Sequence, residues 1–198
     1  MRSLLAAAAL AAATPLAAQL PAGWSARADR GALTGATVTA DKTGLRVVVG
    51  PALILWRAAD AATGPVAVRA TVTQAKASGH MEGYGLFVGG ADLAGEGQRY
   101  SYFLVRPDGT FLVKRREGSR TVNVTRGWTA HPAVAKADAA GAARNRLEVD
   151  ATTPGATRFL VNGTEVWVGD VGATAGIAGL RVNHNLDLLV EGFEVRKK

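Results

Sequence analysis

The sequence runs to 198 residues with a formal net charge of +7, 48% hydrophobic and 20% charged residues, and no cysteine. That length suits one domain with a well-buried core, and the apolar share excludes a disordered chain. The lack of cysteine excludes disulfides, thiolate metal sites, cysteine nucleophiles and lipid attachment at a processed N-terminal cysteine. The basic balance favours anionic partners, or simply solubility.

Arg2 gives a short positive start, Leu4 to Ala13 an apolar run, Thr14-Pro15 a break, and Leu16-Ala17-Ala18 an end in small residues. This layout predicts a secretory signal over 1–18, cleaved after Ala18, and a single domain over 19–198 that works in the periplasm or outside the cell. The apolar run falls short of the ~20 residues of a membrane-spanning helix, so no span is expected; an uncleaved anchor is the alternative.

Beyond residue 19 no long helical period occurs. Short β-branched and aromatic runs alternate with Gly, Pro, Asn and Asp, the pattern of sandwiches and barrels. Strands are expected at 44–49, 52–57 and 66–73; in the last, Val66, Val68, Ala70 and Val72 share one face. Further strands follow at 84–89, 100–106, 110–117 and 120–125. Gly85, Gly89 and Gly90 mark a bulge or close approach in the first of these, and Pro107-Asp108-Gly109 and Gly118-Ser119 are the turns of a meander. Residues 128–143 read as irregular, with one helical turn or a short helix after Pro132. The chain closes with strands at 144–151, 157–161, 165–168, 176–182 and 186–195, and Asn162-Gly163 is a two-residue hairpin signal. About twelve strands without a crossover helix argue against a parallel sheet.

The C-terminal third carries Asn145-Arg146-Leu147-Glu148-Val149, then Phe159-Leu160-Val161-Asn162-Gly163, then Gly176-Ile177-Ala178-Gly179-Leu180-Arg181-Val182 and a closing strand. This order resembles the end of a concanavalin A-like lectin/glucanase jelly roll, and is especially similar to the 3-keto-disaccharide hydrolase family and its bacterial relatives. Tyr84-Gly85-Leu86-Phe87 and Tyr100-Ser101-Tyr102-Phe103 fit the central strands of that fold. The resemblance, over about residues 45–195, implies an all-β antiparallel sandwich of two sheets with at most one short helix. It implies carbohydrate binding or glycoside cleavage as the activity. Glycosidases of this fold carry a Glu-x-Asp-x-x-Glu run, of which only Glu148-Val149-Asp150 is present, with Thr at 153. Retaining cleavage needs two carboxyls ~5–5.5 Å apart, and a polar edge paired with Arg144 or Arg146 is the simpler reading of these two acids.

For a ligand surface, Lys114-Arg115-Arg116, Arg120 and Arg126 lie on neighbouring arms of the meander, near Arg99, Arg106, Tyr100 and Tyr102. Aromatic faces stack on sugar rings and guanidinium forks bind carboxylate or phosphate. Tyr84, Arg99, Tyr100, Tyr102, Arg115, Trp128 and His131 are therefore the candidate ligand-binding residues, for a glycan or other anionic ligand on a concave sheet face. A solvated face whose cations blunt edge pairing is the plain alternative. Trp167 is expected to face outward if Val166 and Val168 face in.

His80, His131 and His184 lack metal spacing, no metal site is expected, and no catalytic residue is identified. Oxygen-ligated calcium is compatible with the fold class, through Asp60, Asp92 or Asp170, without dense ligand spacing. Export makes nucleic acid an unexpected partner. Three readings stay open: a lectin-like module, a glycoside hydrolase using Glu82, Glu148 or Asp150, and an interaction domain of the envelope.

Overall fold

The computed structural model describes residues 20–198; the expected signal and its cleavage point lie outside the described residues. Two antiparallel sheets pack face to face. The larger orders β1 (Trp24–Ala28), β4 (Leu53–Arg57), β14 (Ile177–Val182), β6 (Tyr84–Ala91), β7 (Arg99–Val105), β8 (Thr110–Glu117) and β10 (Thr129–Ala130), with β9 (Arg120–Asn123) also paired to β8. The smaller orders β13 (Thr164–Gly169), β12 (Thr157–Val161), β11 (Ala143–Asp150), β5 (Val66–Gln74), β15 (Asp187–Lys197), β3 (Gly44–Val48) and β2 (Thr37–Asp41). The expected all-β sandwich is therefore the fold.

Period-2 alternation builds the interior. Val66, Val68, Ala70 and Val72 of β5 are buried, as are Leu147 and Val149 of β11, which pairs with it. From the other sheet come Leu53, Leu55, Leu86, Phe103, Val105, Val113 and Leu180. Phe103 packs on Phe111 and Phe159 at centroid distances of 6.1 and 5.2 Å, tilted as ring quadrupoles prefer. Asn162 and Gly163 both take positive φ (53° and 85°), the turn expected of that pair. The bulge anticipated from the glycines of β6 falls between Val88 and Ala91.

Three details differ from the sequence reading. Residues 24–28, 37–41 and 129–130 are additional strands, so the described residues hold fifteen. The stretch after Pro132 turns without forming a helix: the Ala137 N–H donates to the Pro107 carbonyl, and the Asp138 carboxylate accepts from the Ala140 and Ala142 amides. These partners occupy donors that a helix needs. Helical structure among the described residues is one 3₁₀ turn, Ala58–Asp60. Trp167 turns inward onto Phe159 at 5.4 Å, while Val168 is exposed, because a register shift at Phe159/Leu160 breaks the simple alternation of β13.

Candidate functional site

Register decides which of the expected ligand residues meet. Tyr100 pairs with Arg116 and Tyr102 with Lys114, so these four share the outer face of the larger sheet. Arg99 pairs with Glu117 and Ser101 with Arg115, one residue out of phase, so these four share the side that continues into the interior through Phe103 and Val113. Arg115 and Tyr102 thus stand on opposite faces, and the Lys114-Arg115-Arg116 run is divided between them. Tyr84 is fully buried in the main core, with its hydroxyl accepting from Asn145 Nδ2 at 3.3 Å. Trp128 lies beneath the Arg106 guanidinium, 3.8 Å from the ring centroid. His131 accepts the Ala133 amide at Nδ1 (3.1 Å) and sets its ring edge near Phe111. Both flank β10, which pairs with the Thr110 end of β8, away from Arg115.

Arg99 and Arg115 do converge; Tyr100, whose ring lies in an apolar cluster on the outer face, touches the same pocket. With Ser101, Arg116 and Glu117 they line a pocket of about 350 Å³ beneath the β13–β14 connection. Ser101 Oγ donates to the Val171 carbonyl at 2.7 Å, and the Gly172 amide donates to Asp170 Oδ1 at 2.7 Å, which shapes that connection over β7. Arg115 and Glu117 form an exposed pair at 3.1 Å. Arg99 is exposed too. The Tyr100 hydroxyl is buried and has no hydrogen-bond partner among the described residues. The pocket wall therefore offers two accessible guanidiniums against one carboxylate: donors for an oxyanion.

Beside this pocket the outer face of the larger sheet holds a second apolar cluster: Ile54, Trp56, Phe87, Leu93, Tyr100, Tyr102 and Leu104. Its closure is ionic. Asp29 follows β1, with its N–H on the Ala52 carbonyl at 2.9 Å. Its carboxylate takes both Nη atoms of Arg181 on β14 (2.5 and 2.6 Å) and Nη1 of Arg116 on β8 (3.0 Å). In sheet order β1 and β8 are five strand spacings apart, about 24 Å in a flat sheet. Side chains cannot span that gap, so the contact requires the sheet to curl until its flanks approach over the aromatic cluster.

Electrostatics follow from this closure. Burial opposes ionisation of Asp29, but hydrogen bonds and charge from Arg181, then charge from Arg116, outweigh it and hold the carboxyl below its ordinary range. Burial pushes the Tyr102 phenol up to about 12, with the charge of Arg181 pulling the other way. Nothing in the sequence pointed to Asp29 or paired it with a residue 152 positions away; the one signal was a charged residue, Arg181, inside an otherwise apolar strand.

The candidate acids lie elsewhere. Glu148 sits on the outer face of the smaller sheet, 3.8 Å from Arg146, and Asp150 accepts both the amide and the hydroxyl of Thr152. Glu82 faces His184 at 3.8 Å between two loops. Among the described residues no three His, Asp or Glu side chains group as metal ligands would, and no helix is long and apolar enough to cross a membrane.

No protein-family model matches the chain, and no curated protein matches it. Solved structures do. The carbohydrate-binding module CBM66 from Bacillus subtilis superposes with a TM-score of 0.65 at 11% identity, over 88% of this chain and 95% of that one. A Bacillus subtilis protein of unknown function with a galectin-like fold gives 0.60 at 13% identity, over 87% and 88%. The carbohydrate recognition domain of Emp46p, in its potassium-bound form, gives 0.55 at 9% identity, again over 87% and 88%. The class that this fold defines is the antiparallel two-sheet β-sandwich. At these identities the likeness is one of fold.

Proposed function

We propose that the protein is an exported carbohydrate-binding module, secreted or periplasmic after loss of residues 1–18, that holds an acidic glycan without cleaving it. The observation that carries this reading is the pocket where Arg99 and Arg115 present two exposed guanidiniums to one carboxylate. A uronate, sulfate or phosphate group supplies the missing anion, and a guanidinium fork suits its paired oxygens. The fold shared with a carbohydrate-binding module and a carbohydrate recognition domain supports the sugar part of the proposal.

A glycan array with acidic and neutral members tests it. Binding to acidic glycans, lost in the Arg99→Ala/Arg115→Ala double variant, is the expected outcome. Binding indifferent to those changes contradicts it. Export is checked separately: mass spectrometry of the secreted protein is expected to find Gln19 at its N-terminus.

The resemblance to 3-keto-disaccharide hydrolases supports a second reading, glycoside cleavage, and the Glu82–His184 pair is the carboxylate–imidazole contact that favours it. Turnover of a 3-keto-disaccharide that disappears in Glu82→Gln would replace the first reading with this one.

A further inference from the structure

A second pocket, of about 360 Å³, opens at the other end of the sandwich. Pro107, just past the C-terminal end of β7, lines it, whereas Arg99 at the start of β7 lines the first. Six residue steps along the strand set the two about 20 Å apart.

Gln74, Ala77, Met81, Pro107, Ala137 and Gly141 contribute to its walls. Gln74 ends β5 and is fully buried between β11 and β15. Its Nε2 donates to the Lys76 and Gly141 carbonyls, at 2.9 and 3.1 Å, which fixes the orientation of the amide. Its Oε1 has no partner among the described residues. A buried acceptor is rarely left so unless water or a ligand supplies the donor. Gly141 (φ +80°) presses on Ala77, and a Cβ there would strike the Ala77 backbone, so the two loops are held in contact beside the amide. No Asp, Glu, Lys or Arg lines the pocket; His80 is its one titratable group. Met81, among the few large apolar side chains exposed on the described surface, stands 51% exposed at this site.

We propose that this pocket is a second binding site, for a neutral hydroxyl-bearing ligand of single-sugar-ring size. The class follows from the walls. With no fixed charge there is nothing to hold an ion. The free Gln74 oxygen asks for one O–H or N–H donor. The methyl, thioether and proline surfaces suit the C–H face of a ring. The site shares no lining residue with the acidic-glycan pocket, so it stands or falls independently of it.

The test is an amide-resolved NMR titration of the full mature protein with glucose, fructose, N-acetylglucosamine and glycerol, each at millimolar concentration. Expected are saturable shifts of the Gly79, His80 and Gly141 amides with at least one of the sugars. Gln74→Leu is expected to weaken binding about tenfold through the lost hydrogen bond. Gln74→Leu also removes two donors that brace the loops. Met81→Lys, an exposed change that leaves those bonds intact, is therefore the second variant, and it too is expected to weaken binding. Arg99→Ala/Arg115→Ala is expected to leave these shifts unchanged. No saturable shift at these amides, shifts confined to the Ser101–Gly172 pocket, or shifts that persist unaltered in both Gln74→Leu and Met81→Lys would overturn the proposal.

Discussion

The two sheets turn very different outer faces away from their common core. On the smaller sheet, Arg69 meets Glu194, Arg144 meets Glu191 and Arg158 meets Glu165, each pair in reach of water. On the larger sheet, Arg116 and Arg181 are over nine-tenths buried and share one carboxylate, Asp29, above a bed of aromatic rings. The strands themselves differ: β4, β6 and β7 are buried on both faces, whereas β5 and β11 alternate buried with more exposed residues. On the larger sheet the approach of the β1 flank to β8, over the aromatic cluster, turns a charge pair that would otherwise be solvated into a buried one. A pair that contributes little in water becomes costly to break once desolvated.

Asp29→Ala is the severest way to break that contrast. It leaves two buried guanidiniums without their counter-ion, and a loss of about 3 kcal/mol is expected in urea unfolding. A loss within the range of surface pairs would mean that the curled face is open to water. Next comes Gly85→Ala. Gly85 lies on β6 where a Cβ would collide with the Phe103 carbonyl of the neighbouring strand, so about 2 kcal/mol of overpacking is expected, seen as a lowered melting temperature.

Acid sharpens the comparison. A carboxyl whose folded pKa is depressed stabilises fully above its unfolded value, and that stabilisation drains away as pH falls through the folded value. The advantage of wild type over Asp29→Asn is therefore complete at neutrality and shrinks only below pH 3.8, the ordinary value for the group. Unfolding of both proteins across that range measures it; an advantage independent of pH would contradict the ionic closure. The smallest effect belongs to the other face: Arg144→Ala or Arg158→Ala is expected to cost less than about 1 kcal/mol, and less still in high salt.

Much of this architecture was legible in the sequence, because alternation names the buried face of a strand wherever the residues are large. Val66 to Val72 needed nothing else; Tyr100 and Tyr102, read as a ligand face, are buried because β7 is covered on both sides. β1 and β2 were not legible, since Trp24-Ser25-Ala26-Arg27-Ala28 and Thr37-Val38-Thr39-Ala40-Asp41 offer few large apolar residues to alternate. Of the site, the meander placed Arg99, Tyr100 and Arg115 near one another. Sequence proximity alone treated Lys114-Arg115-Arg116 as one surface; pairing to Tyr102, Ser101 and Tyr100 divides it. Tyr84 read like its neighbours in the aromatic set, yet the phase of β6 sends it into the core against Asn145. The Asp29 bridge depends on sheet curl, a property of the whole layer that no local pattern carries.

The most direct test of the account is calorimetric titration of an acidic oligosaccharide, identified on the array, into three forms of the protein: wild type, Arg99→Ala/Arg115→Ala, and Arg144→Ala/Arg158→Ala. The account predicts that affinity collapses in the first double variant and survives in the second, although both lose the same charge. Equal losses in the two, or a loss confined to Arg144 and Arg158, would show that net charge or the solvated face of the smaller sheet binds the ligand and would contradict a built pocket at Arg99 and Arg115.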